Sequence, residues 1–290
     1  MGRLRFLRET LPLLAAQPAA TCVVVDYGCP DHCGNWVQAH LPQVKVVRWP
    51  AASTFHAAHA RNLGAAAAVT DVLCLIDGDV LVDPGFAPAI LAQFDPRCYY
   101  LAEPLAGDIS GTVVCARTAF AFAEGYDEAC TGWGGEDLDL YDRLEFHGIR
   151  RAGFPARLLA ALPHPDAERT AHSADADKEV SNSINLLYSH IKLDLMRLSG
   201  SRLPAGFRAD LHAQVRDAYA ASVKAGGPAR IDVPYAEGMI NYCDVQTSLG
   251  YVIDVSVQAG RRVAGTPISR RMTTAAVSYT HLTLPTKRIV

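Results

Sequence analysis

The chain has 290 residues, half of them hydrophobic, and mixed acids and bases that leave a formal net charge of −3. That length suits one large domain, or one domain with a smaller appendage. The charge balance offers no basic surface for nucleic acid, and no run of about 18 apolar residues is present to form a membrane span.

The opening "MGRLRFLRETLPLLAAQPAA" faintly imitates a signal peptide. Arg8 and Glu9 interrupt its apolar stretch, and Leu4, Leu7, Leu11 and Leu14 recur at helical spacing, so an amphipathic helix is predicted. "TCVVVDYG" is a short β-branched run closed by acid and glycine, a buried strand and turn; "VKVVRW" repeats the pattern. "HAAHARNLGAAAAV" is alanine-rich and helical. "DVLCLIDGDVLVDP" reads as a further buried strand ending in polar residues. This alternation predicts an α/β fold with a mainly parallel sheet covered by helices. Ligands of such sheets gather beyond the carboxyl ends of the strands, where Asp26, Asp77 and Asp79 lie.

"SGTVVCARTAFAFAEGYDEACTGWGGEDLDLYDRLEFHGIRRAGFP" predicts a strand, a turn, a glycine-rich loop, then a helix from about Glu136. Residues 175–225 read as largely helical. Residues 229–259 turn β-like, with "TSLG" as a turn, and open a second module. The tail "VSYTHLTLPTKRIV", residues 277–290, reads as a translated sequencing adapter in preference to a real terminal strand rich in Thr and Val. The predicted organisation is therefore a catalytic domain over 1–200, a helical extension and the start of a β-containing module over 201–276, and the artefactual tail.

Eight cysteines form no disulfide framework. Cys22, Cys74 and Cys115 sit in apolar runs as small core residues. Cys29 and Cys33 flank His32 in "CPDHC", but no second ligand pair follows at zinc spacing, so an ordinary loop is expected. A reducing cytoplasmic setting fits, with association at the inner membrane face as its furthest extension.

Three stretches could carry chemistry. Asp77-Gly78-Asp79 places two carboxylates at a strand end, suited to Mg²⁺ or Mn²⁺; the same tripeptide also makes a good turn. In "GWGGED", glycines allow close backbone approach, Trp133 offers a face for a sugar ring, and Glu136 and Asp137 fall in a first helical turn that favours carboxylates. An ionised carboxylate there could act as a general base, and equally could be a simple helix cap. His164 in "LPHPDAERTAH" gains meaning only if its loop folds back over the acids, and His172 is a weaker candidate.

Together "VVVDYGCPD", "ARNLGA", "LCLIDGDVLVDPGF", "GTVVCARTAF", "GYDEACTGWGGEDLDLYDRL" and "LPHPDAERTAH" resemble GT-A glycosyltransferases, the family-2-like members with a galactosyltransferase-type C-terminal motif, over about residues 1–190. The resemblance implies a nucleotide-sugar donor, with a UDP-sugar expected, a saccharide or glycan acceptor, and Mn²⁺ or Mg²⁺. It implies donor contacts at Asp26, Arg61, Asn62, Asp77, Trp133 and Gly134. It implies metal ligation by Asp77, Asp79 and His164. Glu136 and Asp137 match the acceptor and base positions, with Asp137 as the base of a single inverting displacement. Position 138 is leucine where the galactosyltransferase pattern has a third acid, which leaves acceptor choice open. Relatives also place a strand ahead of the segment matching residues 2–14, so the first strand is expected to be missing. A non-catalytic carbohydrate- or nucleotide-binding relative and a nucleotidyltransferase are the competing readings.

Overall fold

The computed structural model describes residues 1–105, 107–165, 168, 171–173, 177–235, 245–258 and 261–276. The chain divides into two compact units, Met1–Leu193 and Asp194–Val290.

The first unit opens with α1 (Leu4–Ala15), as its leucine spacing predicts. Its buried face carries Phe6, Thr10 and Leu11, and Leu7 and Leu14 join a cluster with Val24, Val37 and Val44. β1 (Val23–Asp26) and β2 (Lys45–Arg48) form a parallel pair, with α2 (Cys33–His40) between them in sequence. α3 (Ala57–Ala67) leads to β3 (Val72–Leu75), then β4 (Val80–Val82) and α4 (Phe86–Gln93). β5 (Cys98–Glu103), β6 (Val113–Ala116), α5 (Arg117–Phe122), α6 (Glu136–Phe146), β7 (Arg150–Pro155) and β8 (Leu159–Ala161) complete the α/β part. α7 (Lys178–Ser199) follows and carries the boundary between the units.

A four-stranded sheet runs β3-β6-β5-β7. β5 and β7 are parallel, but β6 lies antiparallel to both β3 and β5. The α/β reading stands, and the sheet is mixed rather than mainly parallel, because β6 returns against its neighbours. β5 is buried on both faces. Tyr99 and Leu101 point into a core with Leu73, Val113, Tyr126, Leu140 and Leu144, while Tyr100 and Ala102 point into one with Val80, Phe86, Ile90 and Phe154. Each such large side chain contributes roughly 1.5–3 kcal/mol on burial.

Three local expectations are corrected. The run "DVLCLIDGDVLVDP" is two strands, β3 and β4, because the Asp77-Gly78-Asp79 turn breaks it. Cys74 is exposed rather than buried. Strand alternation turns it away from Leu73 and Leu75, and β3 is the end strand of its sheet. "TSLG" is no turn: Thr247–Gly250 lies within a strand laddered on both sides. Among the described residues, no ladder joins the β1–β2 pair to β3.

In the second unit, α8 (Ala205–Ala225) precedes an antiparallel sheet in the order β11-β10-β9. Its strands are β9 (Ala229–Tyr235), β10 (Val245–Gln258) and β11 (Arg261–Ala276). Leu211, Val215 and Tyr219 of α8 are buried, as are Ile231, Val233, Leu249 and Tyr251 of the sheet. The Ser222 hydroxyl accepts the Val255 N–H at 2.9 Å. Residues 277–290 lie outside the described residues. No helix among the described residues is long and apolar enough to cross a membrane.

Candidate active site

Arg61, on α3, is the junction of the site. Its NH2 meets Asp77 Oδ1 at 2.8 Å, and its NH1 meets Glu136 Oε1 at 2.9 Å and Asp137 Oδ1 at 3.1 Å. One guanidinium thus holds the acid past the end of β3 and the first two acids of α6. Burial disfavours its cation, but Asp137, Tyr126, Asp77 and Glu136 outweigh that and hold it above its ordinary pKa. A guanidinium set among three carboxyl groups stays charged.

Asp137 has further partners. The Tyr126 hydroxyl donates to its Oδ1 at 3.0 Å. A Cβ built on Gly111 would lie 2.9 Å from Asp77 Oδ2, 3.2 Å from Asp137 Oδ2 and 3.3 Å from Arg61 NH2. Gly111 is therefore packed directly against both acids, where a larger residue would crowd them. Burial raises the Asp137 carboxyl to about 8; Arg61 opposes the rise, and Glu136 and Asp77 reinforce it. Tyr126 and Gly111 were not singled out from sequence. Gly111 stands in the quoted "SGTVV" segment, but its close neighbours are 34 and 26 positions away (Asp77 and Asp137), beyond any local pattern.

Asp79 has a separate set of partners. Its Oδ2 lies 2.5 Å from His164 Nε2. β8 pairs antiparallel with β4, and the Leu162 N–H bonds to the Asp79 carbonyl at 2.8 Å. That ladder folds the His164 segment back over the acids. Arg3 NH1 stands 3.2 Å from Asp79 Oδ2 and 3.1 Å from His164 Nε2. A carboxylate and an imidazole already gathered round a cationic nitrogen suit a divalent ion, and the mixed O,N set favours Mn²⁺ over the all-oxygen preference of Mg²⁺. The chemistry of this pair fits such an ion, which Asp79 and His164 would hold. Asp77, the third expected ligand, has its Oδ1 2.8 Å from Arg61, and among the described residues it forms no three-ligand group with Asp79 and His164.

Among the described residues, the group that does gather three ligand atoms within 4.8 Å is Asp26, Cys29 and Cys33. Sequence reading paired the two cysteines without seeing Asp26 as a neighbour. Both Asp26 oxygens are engaged: Oδ1 accepts the Cys29 N–H, and Oδ2 accepts the Gly34 N–H and Arg48 NH1, each at 3.1 Å. Arg48 already neutralises this carboxylate, so the trio is read as the anchor of α2 at the end of β1.

The other predicted donor residues have these places. Asn62 donates to the Tyr126 carbonyl and to Glu128 Oε1, both at 2.9 Å, and accepts the Tyr126 N–H at 2.8 Å. It thereby steadies the residue that donates to Asp137. Trp133 presents its ring to the Lys178 ammonium at 4.1 Å. Gly134 and Gly135 have φ of 86° and 84°, a region that glycine enters freely. Gly135 caps α6, whose first turn holds Glu136, Asp137 and Asp139.

An α/β sheet with acids past its strand ends, beside a helix that starts on acids after a glycine-tryptophan loop, defines a nucleotide-diphospho-sugar transferase fold of the GT-A type. Residues 2–105 match the family model for glycosyl transferase family 2, and residues 93–168 match the model described as the N-terminal domain of galactosyltransferase. These adjoining matches support a GT-A, family-2-like glycosyltransferase. The pre-mycofactocin glycosyltransferase of Mycobacterium tuberculosis is 28% identical over a match covering 48% of this chain and 36% of that protein, in strains H37Rv and CDC 1551 alike. The chain therefore spans about a third of the length of the curated relatives it matches. The structure of GalNAc-T7 with UDP, GalNAc and Mn²⁺ is similar with a TM-score of 0.50 at 13% identity, covering 86% of this chain and 61% of that one. The Pyrobaculum calidifontis mannosyltransferase PcManGT, in complex with GDP-Man and Mn²⁺, gives a TM-score of 0.47 at 16% identity, covering 77% and 72%. At these identities the GalNAc-T7 likeness speaks for the fold alone.

Proposed function

We propose that the protein transfers a sugar from a nucleotide-sugar donor, a UDP-sugar in our reading, to a hydroxyl of a saccharide or glycan acceptor, with inversion. The observation that carries this reading is the Arg61 junction, which joins Asp77 to Glu136 and Asp137. The family matches and the 28% identical glycosyltransferase support it independently.

In this mechanism the nucleoside lies at the end of β1 beside Asp26. A divalent cation, when bound, supplies charge neutralisation for the departing diphosphate; Asp79 and His164 would hold it. Arg61 adds positive charge on the same side and keeps Asp77 and the α6 acids in one hollow. Asp137 Oδ1 is occupied by Tyr126 and Arg61, and Oδ2 lies on the Gly111 side. In its ionised form, which the raised pKa makes the stronger base, Asp137 takes the acceptor proton on Oδ2 as the acceptor oxygen attacks the anomeric carbon opposite the leaving group. Glu136 orients the acceptor, and Trp133 gives the sugar an apolar face. Fixed charges and positioning supply most of the rate.

A thermal-shift screen of nucleotide-sugars with Mn²⁺ identifies the donor, because a ligand that binds only the folded state raises Tm. Nucleotide release is then compared between the parent and Asp137→Asn. The expected result is a fall of roughly 10²–10⁴ in the variant with the donor-induced Tm shift retained. Equal release by both proteins refutes the assignment of the base. Nucleotide transfer with the sugar–phosphate bond left intact would instead indicate a nucleotidyltransferase.

A further inference from the structure

The loop that carries Trp133 and launches α6 is gripped by one helix. The Trp133 N–H donates to Ser181 Oγ at 3.0 Å, and the same hydroxyl donates to the Trp133 carbonyl at 2.9 Å. Asn185 Nδ2 donates to the Thr131 carbonyl at 2.9 Å and to the Gly134 carbonyl at 2.7 Å. Both side chains are on α7 and both residues are buried. The contact is tight enough to explain the glycines: a Cβ on Gly134 would strike Asn182, and one on Gly135 would lie 2.7 Å from the Asn185 Cβ.

Two to three turns further along α7, Lys192 is wholly buried between two carboxylates. Its ammonium meets Asp127 Oδ2 at 2.5 Å and contacts Asp139 Oδ1. Asp127 also accepts the Tyr188 hydroxyl at 2.6 Å, and Asp139 accepts Arg143 Nε at 2.9 Å. Asp127 follows Tyr126, and Asp139 lies one turn from Glu136. One helix thus bonds the segment bearing Tyr126, Trp133, Glu136 and Asp137 at its beginning, middle and end.

We propose that Ser181 and Asn185 are positioning residues that act through the Trp133 loop, with Lys192 anchoring the two flanks of the same segment. This rests on the glycosyl-transfer reading. α7 presents neither residue as a donor ligand. The bonds they make fix backbone carbonyls and one N–H, so their loss moves Trp133 and the α6 acids while leaving the Asp79–His164 pair and the β1 end in place.

The test uses Asn185→Ala and Ser181→Ala in the whole chain, with Ser181→Thr retaining the hydroxyl. The protein has three tryptophans, so a Trp36→Phe, Trp49→Phe background isolates Trp133 fluorescence. Acrylamide quenching of Trp133 is expected to rise in both alanine variants. With the donor found by the screen, kcat for transfer is expected to fall by about 10- to 100-fold, since small misplacements of reacting groups carry penalties of that size. Donor KM is expected to rise by less than kcat falls, because Trp133 and Gly134 shift while the Asp26, Arg61 and Asp77 contacts stay in place. Ser181→Thr is expected to recover most of the kcat. Unchanged quenching in both alanine variants overturns the proposal. So does a parallel loss of kcat, donor affinity and Tm, which marks a merely structural role. If the parent transfers no sugar from any donor, the glycosyl-transfer reading fails, while the quenching result still decides whether α7 holds the loop.

Discussion

Arg61 is the residue on which the site turns, and its surroundings dictate what its loss does. It is 15% exposed and meets three carboxylates. Arg61→Met leaves those acids facing one another in a half-buried hollow, an uncompensated arrangement that costs about 3 kcal/mol or more. The expected outcome is a lower Tm together with a loss of transfer beyond about 10²-fold, read by melting and steady-state rates. Asp137 gives a pH signature. Burial raises its folded pKa to about 8, against 3.8 for the unperturbed group. The folded state therefore holds the proton more tightly than the unfolded one, and stability drains away as pH rises between those values. Asp137→Asn has no proton to lose, so without metal its stability relative to the parent is expected to improve from pH 5 to pH 9. No relative change across that range in chemical denaturation would contradict the shift. Asp139 runs the other way. Burial pushes its carboxyl up, but Arg143 and Lys192 pull it below the ordinary value. Its contribution is present above the unfolded pKa and is lost as pH falls through the lower folded one.

Elements set these residues in place, and they differ in how far sequence revealed them. The start of α6 at Glu136 was legible because its signals are local: glycines before, acids within the first turn. Strand ends at Asp26 and near Asp77 were legible for the same reason. The return of His164 over Asp79, 85 positions away, was legible only through the family resemblance, since it depends on β8 pairing with β4. The antiparallel course of β6 was not legible, because an apolar run such as "TVVCA" carries no mark of strand direction. The grip of α7 on the tryptophan loop was hidden too. Ser181 and Asn185 are ordinary helix-surface residues until the fold places them against Thr131–Gly134. The glycines of that loop give an element-scale check. Gly135→Ala must adopt φ near 84° and crowd Asn185. It is expected to destabilise the protein by about 1–3 kcal/mol, visible as a fall in the denaturation midpoint. An unchanged midpoint would mean that the loop relaxes at no cost.

At the scale of the whole molecule, the first unit alone carries every residue assigned to chemistry. Asp26 comes from the end of β1, Asp77 and Asp79 from the turn between β3 and β4, Arg61 from α3, Asp137 from α6 and His164 from the segment after β8. Ligand-driven stability should therefore register on this unit. Mn²⁺ is expected to raise its melting temperature, and Asp79→Ala or His164→Ala to abolish that rise; a full rise retained in both variants removes them as metal holders. The most direct measurement of the shared hollow is a double-mutant cycle on kcat for sugar transfer with Asp77→Asn, Asp137→Asn and the pair. Groups joined through one guanidinium act as a unit, so the double variant is expected to lose little more than the worse single one. Losses that simply multiply would mean that the strand-end acid and the helix-start acid work apart.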